Sequence, residues 1–135
     1  MRNRAEQQDR IEQRRDMVAQ IAARGVRDTR VLEAMLRVPR ARFLPASMRE
    51  HAYDDSPLPI AEGQTLSQPY IVALMAEAAT LRPGERALET GTGAGYAAAV
   101  LSAMGIEVFT VERLVRSEEH TAEPQARPRS VCVRR

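Results

Sequence analysis

The sequence predicts an α/β chain in which N-terminal helices precede a single βαβ unit of a doubly wound sheet. Three observations predict it. A short strand-like run, Arg86 to Glu89, leads into glycines at 91, 93 and 95. A small-residue helix, Ala97 to Met104, follows and is stopped by Gly105. A second run, Glu107 to Val111, then meets an acid, Glu112, 21 residues after Gly91. A strand, a glycine turn, a helix and an acid at that distance describe a nucleotide-type site at the switch point of an α/β sheet. The glycines let backbone N–H groups approach a ligand, and the acid can accept hydrogen bonds from ribose hydroxyls. The alternative is a glycine-rich turn with no ligand.

The elements before this unit follow from pattern and punctuation. Residues 5–24 read as a helix, with Ile11, Met17, Val18 and Ile21 at near-helical spacing among charges and Gly25 as the stop. Its arginines form a solvated face. Asp28 can cap a second helix, Thr29 to Arg37, whose apolar stripe is Val31, Leu32, Met35 and Leu36 and which Pro39 ends. Phe43, Leu44 and Pro45 read as a packing anchor, and residues 46–51 as one more helical turn. Residues 52–66 hold two prolines and a glycine, which forbid a regular helix. Long irregular segments in compact domains often carry function. Ser67 stands where a helix N-cap belongs, with Pro69 in the first turn. That helix runs to about Leu81 and buries Ile71, Leu74, Met75 and Ala78; Arg82 to Glu85 is a turn.

Bulk composition narrows the function classes. All 20 basic residues are arginine. The net charge of +2 lies wholly after Val115, so residues 1–115 are neutral overall and offer no basic face for nucleic acid. One cysteine, Cys132, excludes an internal disulfide, and two distant histidines, His51 and His120, give no metal-site spacing. No apolar span has membrane length, and the polar N-terminus is no secretory signal. The expectation is a cytoplasmic, monomeric chain without metal, nucleic acid or membrane partners. Asp54 and Asp55 read as solvated loop acids, His51 as a surface residue, and Tyr53 and Tyr70 as packing residues.

The glycine spacing has a further meaning. Dinucleotide folds want a third glycine one place later, where this chain has Tyr96. A pyrophosphate needs the bare helix N-terminus, whereas a sulfonium amino-acid ligand does not. Glycines 91, 93 and 95 behind Glu89 instead resemble the first motif of S-adenosylmethionine-dependent methyltransferases. A second block points the same way: Val38-Pro39-Arg40 with Phe43, then Tyr53, Leu58-Pro59-Ile60 and Gly63-Gln64-Thr65-Leu66-Ser67-Gln68-Pro69-Tyr70. Together with Leu88 to Tyr96 and Val111-Glu112-Arg113, it resembles the N-terminal half of protein-L-isoaspartate O-methyltransferases. The resemblance runs from about Met17 to Leu114, and the Gly-Gln-Thr-Leu-Ser-Gln-Pro block is the specific part, because general methyltransferases lack it.

The resemblance implies a Rossmann-like methyltransferase sheet, present only as its first βαβ unit, with S-adenosyl-L-methionine as cofactor. It implies transfer of the methyl group to the carboxylate of L-isoaspartyl residues in damaged proteins. By position, Ser67 matches the active-site serine; Gln64, Thr65 and Leu66 match the loop that closes over the cofactor. Glu89, Gly91 and Gly93 match the cofactor turn, and Glu112 the ribose acid. The chemistry suits these residue types. A side-chain carboxylate has a pKa of about 4, so the nucleophile is already ionised at neutral pH. Alignment and water exclusion then remain, and positioning can supply roughly 7–11 kcal/mol. Ser67 can hold one carboxylate oxygen, making it an orienter and not a nucleophile, since no histidine lies near it in sequence to activate it. Its plainer alternative is an ordinary helix cap.

Residues 1–115 thus read as the N-terminal part of a methyltransferase domain: a helical lead-in 5–51, an active-site loop 52–69 and a cofactor-binding βαβ 85–114. Residues 116–135 show no apolar period, and Arg116-Ser117-Glu118-Glu119-His120-Thr121 resembles a translated sequencing-adapter oligonucleotide. The expectation is a natural coding sequence that stops near Val115, followed by an artefactual tail; the alternative is a natural disordered tail. Two parallel strands with bare faces leave the chain unstable or aggregation-prone, with weak or absent cofactor binding and little activity. Two other readings stay open: a methyltransferase of the same fold with another acceptor, and an inert truncation product or interaction module.

Overall fold

The structure, a computed structural model, describes residues 4–60, 63–112 and 129–132. Helix α1 (Arg4–Ala23) carries Met17, Val18 and Ile21 into the core and stops two residues before Gly25, whose φ of +108° suits the turn that follows a helix end. Helix α2 (Thr29–Arg37) starts where expected: the Asp28 side chain accepts from the Arg30 N–H at 2.9 Å. The Arg30 guanidinium also donates to Asp28, which lowers the Asp28 carboxyl below its ordinary value. Helix α2 buries Val31, Ala34 and Met35, while Leu36 faces outward. Two 3₁₀ turns follow, Arg40–Phe43 and Ala46–His51.

The segment expected to be irregular contains a small antiparallel pair, β1 (Leu58–Pro59) with β2 (Thr65–Leu66). Leu58 lies opposite Leu66, and both are buried.

Helix α3 (Pro69–Ala78) differs from its expected form in three ways. It ends at Ala78 and not near Leu81, with Thr80 at φ +50° after it. Its N-cap residue is Gln68, one place after Ser67, and makes no side-chain cap bond. The capping is done from a distance: the Asp55 carboxylate accepts from the Tyr70 N–H at 3.3 Å, while the Gln68 side-chain amide donates to the Asp55 carbonyl at 3.2 Å. Asp55 is therefore a structural residue and not a solvated loop acid; it also pairs with Arg24, whose guanidinium stacks 3.6 Å from the Tyr70 ring centre. The third difference is the buried face. Val72, Ala73 and Ala76 are buried, whereas Ile71, Leu74 and Met75 are exposed, Met75 at 67%. A helix that is apolar nearly all round has no unique stripe, so period alone does not choose its face. Helix α3 packs against α1 and α2, and its buried residues are the smaller ones, Val72, Ala73 and Ala76.

The parallel sheet runs β3 (Arg86–Thr90), β4 (Glu107–Glu112), β5 (Arg129–Cys132). Helix α4 (Tyr96–Ala103) crosses between the first two strands and buries Tyr96, Ala98, Ala99 and Val100. Strand β5 is a correction: the sequence reading ends regular structure at Glu112, yet Phe109 to Glu112 pair with Arg129 to Cys132. A four-residue strand in an Arg-rich, proline-flanked run has no period long enough to announce itself. The remainder of the tail, 116–128 and 133–135, lies outside the described residues. At the amino ends of the strands, the Gly84 N–H donates to Gly105 O at 2.9 Å and Glu107 N–H to Glu85 O at 2.9 Å. Gly105 has φ +84°, and a Cβ there would stand 3.2 Å from Pro83 Cβ. The core joins α1, α2, the 3₁₀ turns, α3, α4, Ile106 just before β4, and one face of β4 through Val108. The β3 side is barer: Leu88 is 67% exposed.

Candidate functional site

The carboxyl ends of β3 and β4 bring the turn glycines and both expected acids together. Parallel pairing continues one step past β3, with Gly91 N–H donating to Val111 O at 2.8 Å. The chain then turns through Gly91, Gly93 and Gly95 at φ +75°, +56° and +86°, a run of left-handed conformations that only glycine adopts without strain. The Gly95 N–H closes the turn on Thr92 O at 2.9 Å, and Ala99 N–H to Gly95 O starts α4. Nothing lies within 4 Å of where a Cβ would stand on Gly91 or Gly95, so the turn opens onto free space.

Glu112 ends β4 and accepts from the Gly93 N–H at 3.0 Å. The acid is thus fastened to the turn it was expected to serve. Glu89 sits nearby with one carboxyl oxygen buried and without a hydrogen-bond partner among the described residues, and the Thr92 hydroxyl is in the same condition. Burial first, and the negative charge of Glu112 second, push the Glu89 carboxyl up to about 7 from an ordinary 4.5. A partly buried carboxyl that lacks a counter-charge, beside a second carboxylate, suits a cationic ligand group. Sequence reasoning named both acids but not Thr92, which looks like any residue of a polar turn.

Tyr96, standing where a dinucleotide fold has glycine, is 1% exposed. Its ring packs edge-on against Phe43, centroids 5.5 Å apart at 66°, and lies 5.0 Å from the Arg40 guanidinium carbon. The helix start is therefore plugged on its inner side, which leaves the glycine side as the open face. Burial raises the Tyr96 phenol above its ordinary range.

The second expected group lies in the β1–β2 segment. Ser67 is exposed and is not a cap, Thr65 is exposed and Gln64 is half-buried. Leu66 points into the hydrophobic core. His51 is exposed and lies 3.0 Å from Asp54. Among the described residues no three His, Cys, Asp or Glu side chains group as a metal site, and no helix is long and apolar enough to cross a membrane.

Comparison with known proteins points to one family. The profile of the family described as Protein-L-isoaspartate(D-aspartate) O-methyltransferase (PCMT) matches residues 12–129. A Protein-L-isoaspartate O-methyltransferase of Methylorubrum extorquens (strain PA1) is 60% identical over 106 residues, which cover 78% of this chain and 46% of that protein. Protein-L-isoaspartate O-methyltransferase 1 of Rhodopseudomonas palustris (strain HaA2) is 65% identical over 103 residues, or 76% and 42% of the two chains. A solved protein-L-isoaspartate O-methyltransferase structure superposes with a TM-score of 0.64 at 34% identity, covering 79% of this chain and 35% of that one. The chain spans less than half the length of the two relatives named. With the family profile matched over residues 12–129, the chain belongs to the protein-L-isoaspartate(D-aspartate) O-methyltransferase family.

Proposed function

We propose that the chain carries the cofactor turn and acceptor loop of an enzyme that methylates the carboxylate of L-isoaspartyl residues in damaged proteins, with S-adenosyl-L-methionine as donor. The observation that carries the cofactor half is the buried, partnerless oxygen of Glu89 under a glycine turn that Glu112 closes. That cofactor, when bound, supplies a methyl group activated by a sulfonium centre. Glu89 takes the ligand's ammonium, which replaces the missing counter-charge, and the Thr92 hydroxyl adds a polar contact. Gly91 and Gly93 keep side chains out of the cradle. Glu112 receives the ribose hydroxyls with the capacity its bond to Gly93 leaves.

In the acceptor half, Ser67 holds one oxygen of the isoaspartyl carboxylate, and Gln64, Thr65 and Leu66 form the covering loop. Exposure of Ser67 supports this, since its hydroxyl is committed to no cap. The acceptor carboxylate needs no base at neutral pH, so the residues orient and exclude water. The domain boundaries read from the sequence belong to the same proposal: lead-in 5–51, acceptor loop 52–69 and cofactor unit 85–114, in a cytoplasmic monomer. For this chain alone we propose weak cofactor binding and weak or no turnover, because Leu88 and the outer face of α3 stand bare.

The test is methyl transfer from labelled S-adenosylmethionine to an L-isoaspartyl peptide and to its aspartyl isomer, with calorimetric titration of S-adenosylhomocysteine beside it. Weak heat of binding is the expected pattern, with whatever label is transferred confined to the isoaspartyl peptide. Label on a different acceptor assigns another substrate, and no heat at any concentration removes the cofactor site.

A further inference from the structure

We propose that Arg40 is a positioning residue that ties the glycine turn to the segment bearing Ser67, acting through Tyr96 on one side and Ala52 on the other. The proposal rests on the functional reading for what the two segments do, but not for the tie itself.

Arg40 is 0% exposed, which is unusual for an arginine with no carboxylate in direct contact among the described residues, and the charge of Asp55 offsets only part of the cost of that burial. Its Nε donates to the carbonyl of Ala52 at 2.8 Å, and Ala52 opens the 52–69 segment. Its guanidinium also stands 5.0 Å from the ring centre of Tyr96, the residue that follows Gly95 and begins α4. Phe43, from the same 3₁₀ turn, holds that ring edge-on. One short turn therefore grips the start of α4 and the start of the loop together.

Stability alone does not account for a guanidinium here. Nη1 and Nη2 have no hydrogen-bond partner among the described residues, and neither has the Tyr96 hydroxyl. An apolar side chain of similar length would fill the space without stranding N–H groups, and such exchanges are often neutral or stabilising. A planar cation does what a hydrocarbon does not: it bonds a carbonyl from one edge while its charge is held near an aromatic ring. Nothing local in the Val38-Pro39-Arg40 run marks this role, because Ala52 and Tyr96 are distant in sequence.

The test uses the full chain with Arg40→Met and Arg40→Lys, followed by amide hydrogen exchange and by titration with S-adenosylhomocysteine under conditions where each variant is folded. With Arg40→Met, exchange at residues 52–56 and 91–98 is expected to rise together, by about tenfold or more for a bond of charged-group strength, while Val31 to Met35 of α2 stay protected. Arg40→Lys keeps the cation without the planar fork and is expected to show the same joint rise, smaller; it decides the matter if the methionine variant does not fold. S-adenosylhomocysteine affinity is expected to fall with the rise. A rise in one segment only, an equal rise through α2, or a folded variant that binds as tightly as the parent overturns the proposal. A parent chain that does not bind at all overturns the functional reading instead, and the exchange result still judges the tie.

Discussion

Glu89→Gln should make the ligand-free chain more stable at alkaline pH while weakening its grip on the cofactor. The reasoning starts from a carboxyl pushed up to about 7 by burial and by Glu112, against 4.5 when unfolded. Between those two values the folded chain holds a proton that the unfolded chain has lost. Stability from this group is therefore full below about 4.5, declines as pH rises toward 7, and is flat above it. At full burial the difference would correspond to about 3 kcal/mol. Glu89 is only partly buried, and screening by solvent reduces this to about 1–2 kcal/mol. Glutamine keeps the shape and has no charge to desolvate. Urea unfolding of parent and variant from pH 4 to 8.5 reads the difference directly, because titrations shared by both chains cancel. The variant's advantage should be near zero at pH 4.5 and reach about 1–2 kcal/mol by pH 8. Parallel curves, or a variant that is weaker at pH 8, would refute the argument. Affinity for S-adenosylhomocysteine should move the other way, falling about tenfold or more with loss of a charge-assisted contact.

Four further outcomes follow from the packing. Asp55→Ala should lower unfolding free energy by about 1 kcal/mol for the lost cap on Tyr70, with only a few tenths more for the half-exposed pair with Arg24. Ser67→Ala should leave the urea midpoint within about 0.5 kcal/mol of the parent, since Ser67 caps nothing; a loss of about 1 kcal/mol would restore it as a helix cap. Gly105→Ala should cost about 1–3 kcal/mol, from a left-handed backbone and from contact with Pro83, read as a lower thermal midpoint. Ala73→Leu should cost about 1–3 kcal/mol by overpacking, whereas Met75→Glu should be neutral in urea melts; equal effects would mean that α3 faces the other way.

The sequence made some of this legible and hid the rest for physical reasons. The bounds of helix α2 were legible because its charged and apolar faces separate and Asp28 caps it locally, although Leu36, expected in the stripe, faces outward. The turn at 91–95 was legible because φ above zero demands glycine, and Glu112 because strand pitch and helix length fix its distance from that turn. The face of α3 was not, since nearly every residue on it is apolar and size, not hydrophobicity, decided which side went in. Asp55 was misread because its role depends on Tyr70, 15 residues away. The cap expected from Ser67 comes from that distant carboxylate. Arg40 was hidden for the same reason: its partners, Ala52 and Tyr96, are neighbours only after folding.

The knot at Pro83, Gly84 and Gly105 bears on more than its own stability. It levels the two strands at their roots, pairing Arg86 with Glu107 and, four steps on, Thr90 with Val111. Because side chains alternate along a strand, slipping that starting line by one residue would advance Glu112 by about 3.3 Å and turn it to the other side of the sheet. A single-residue insertion beside Gly105 would therefore disarm the ligand cradle from its far end while every group in the cradle remained intact. The reach of the acid is decided at the foot of the ladder.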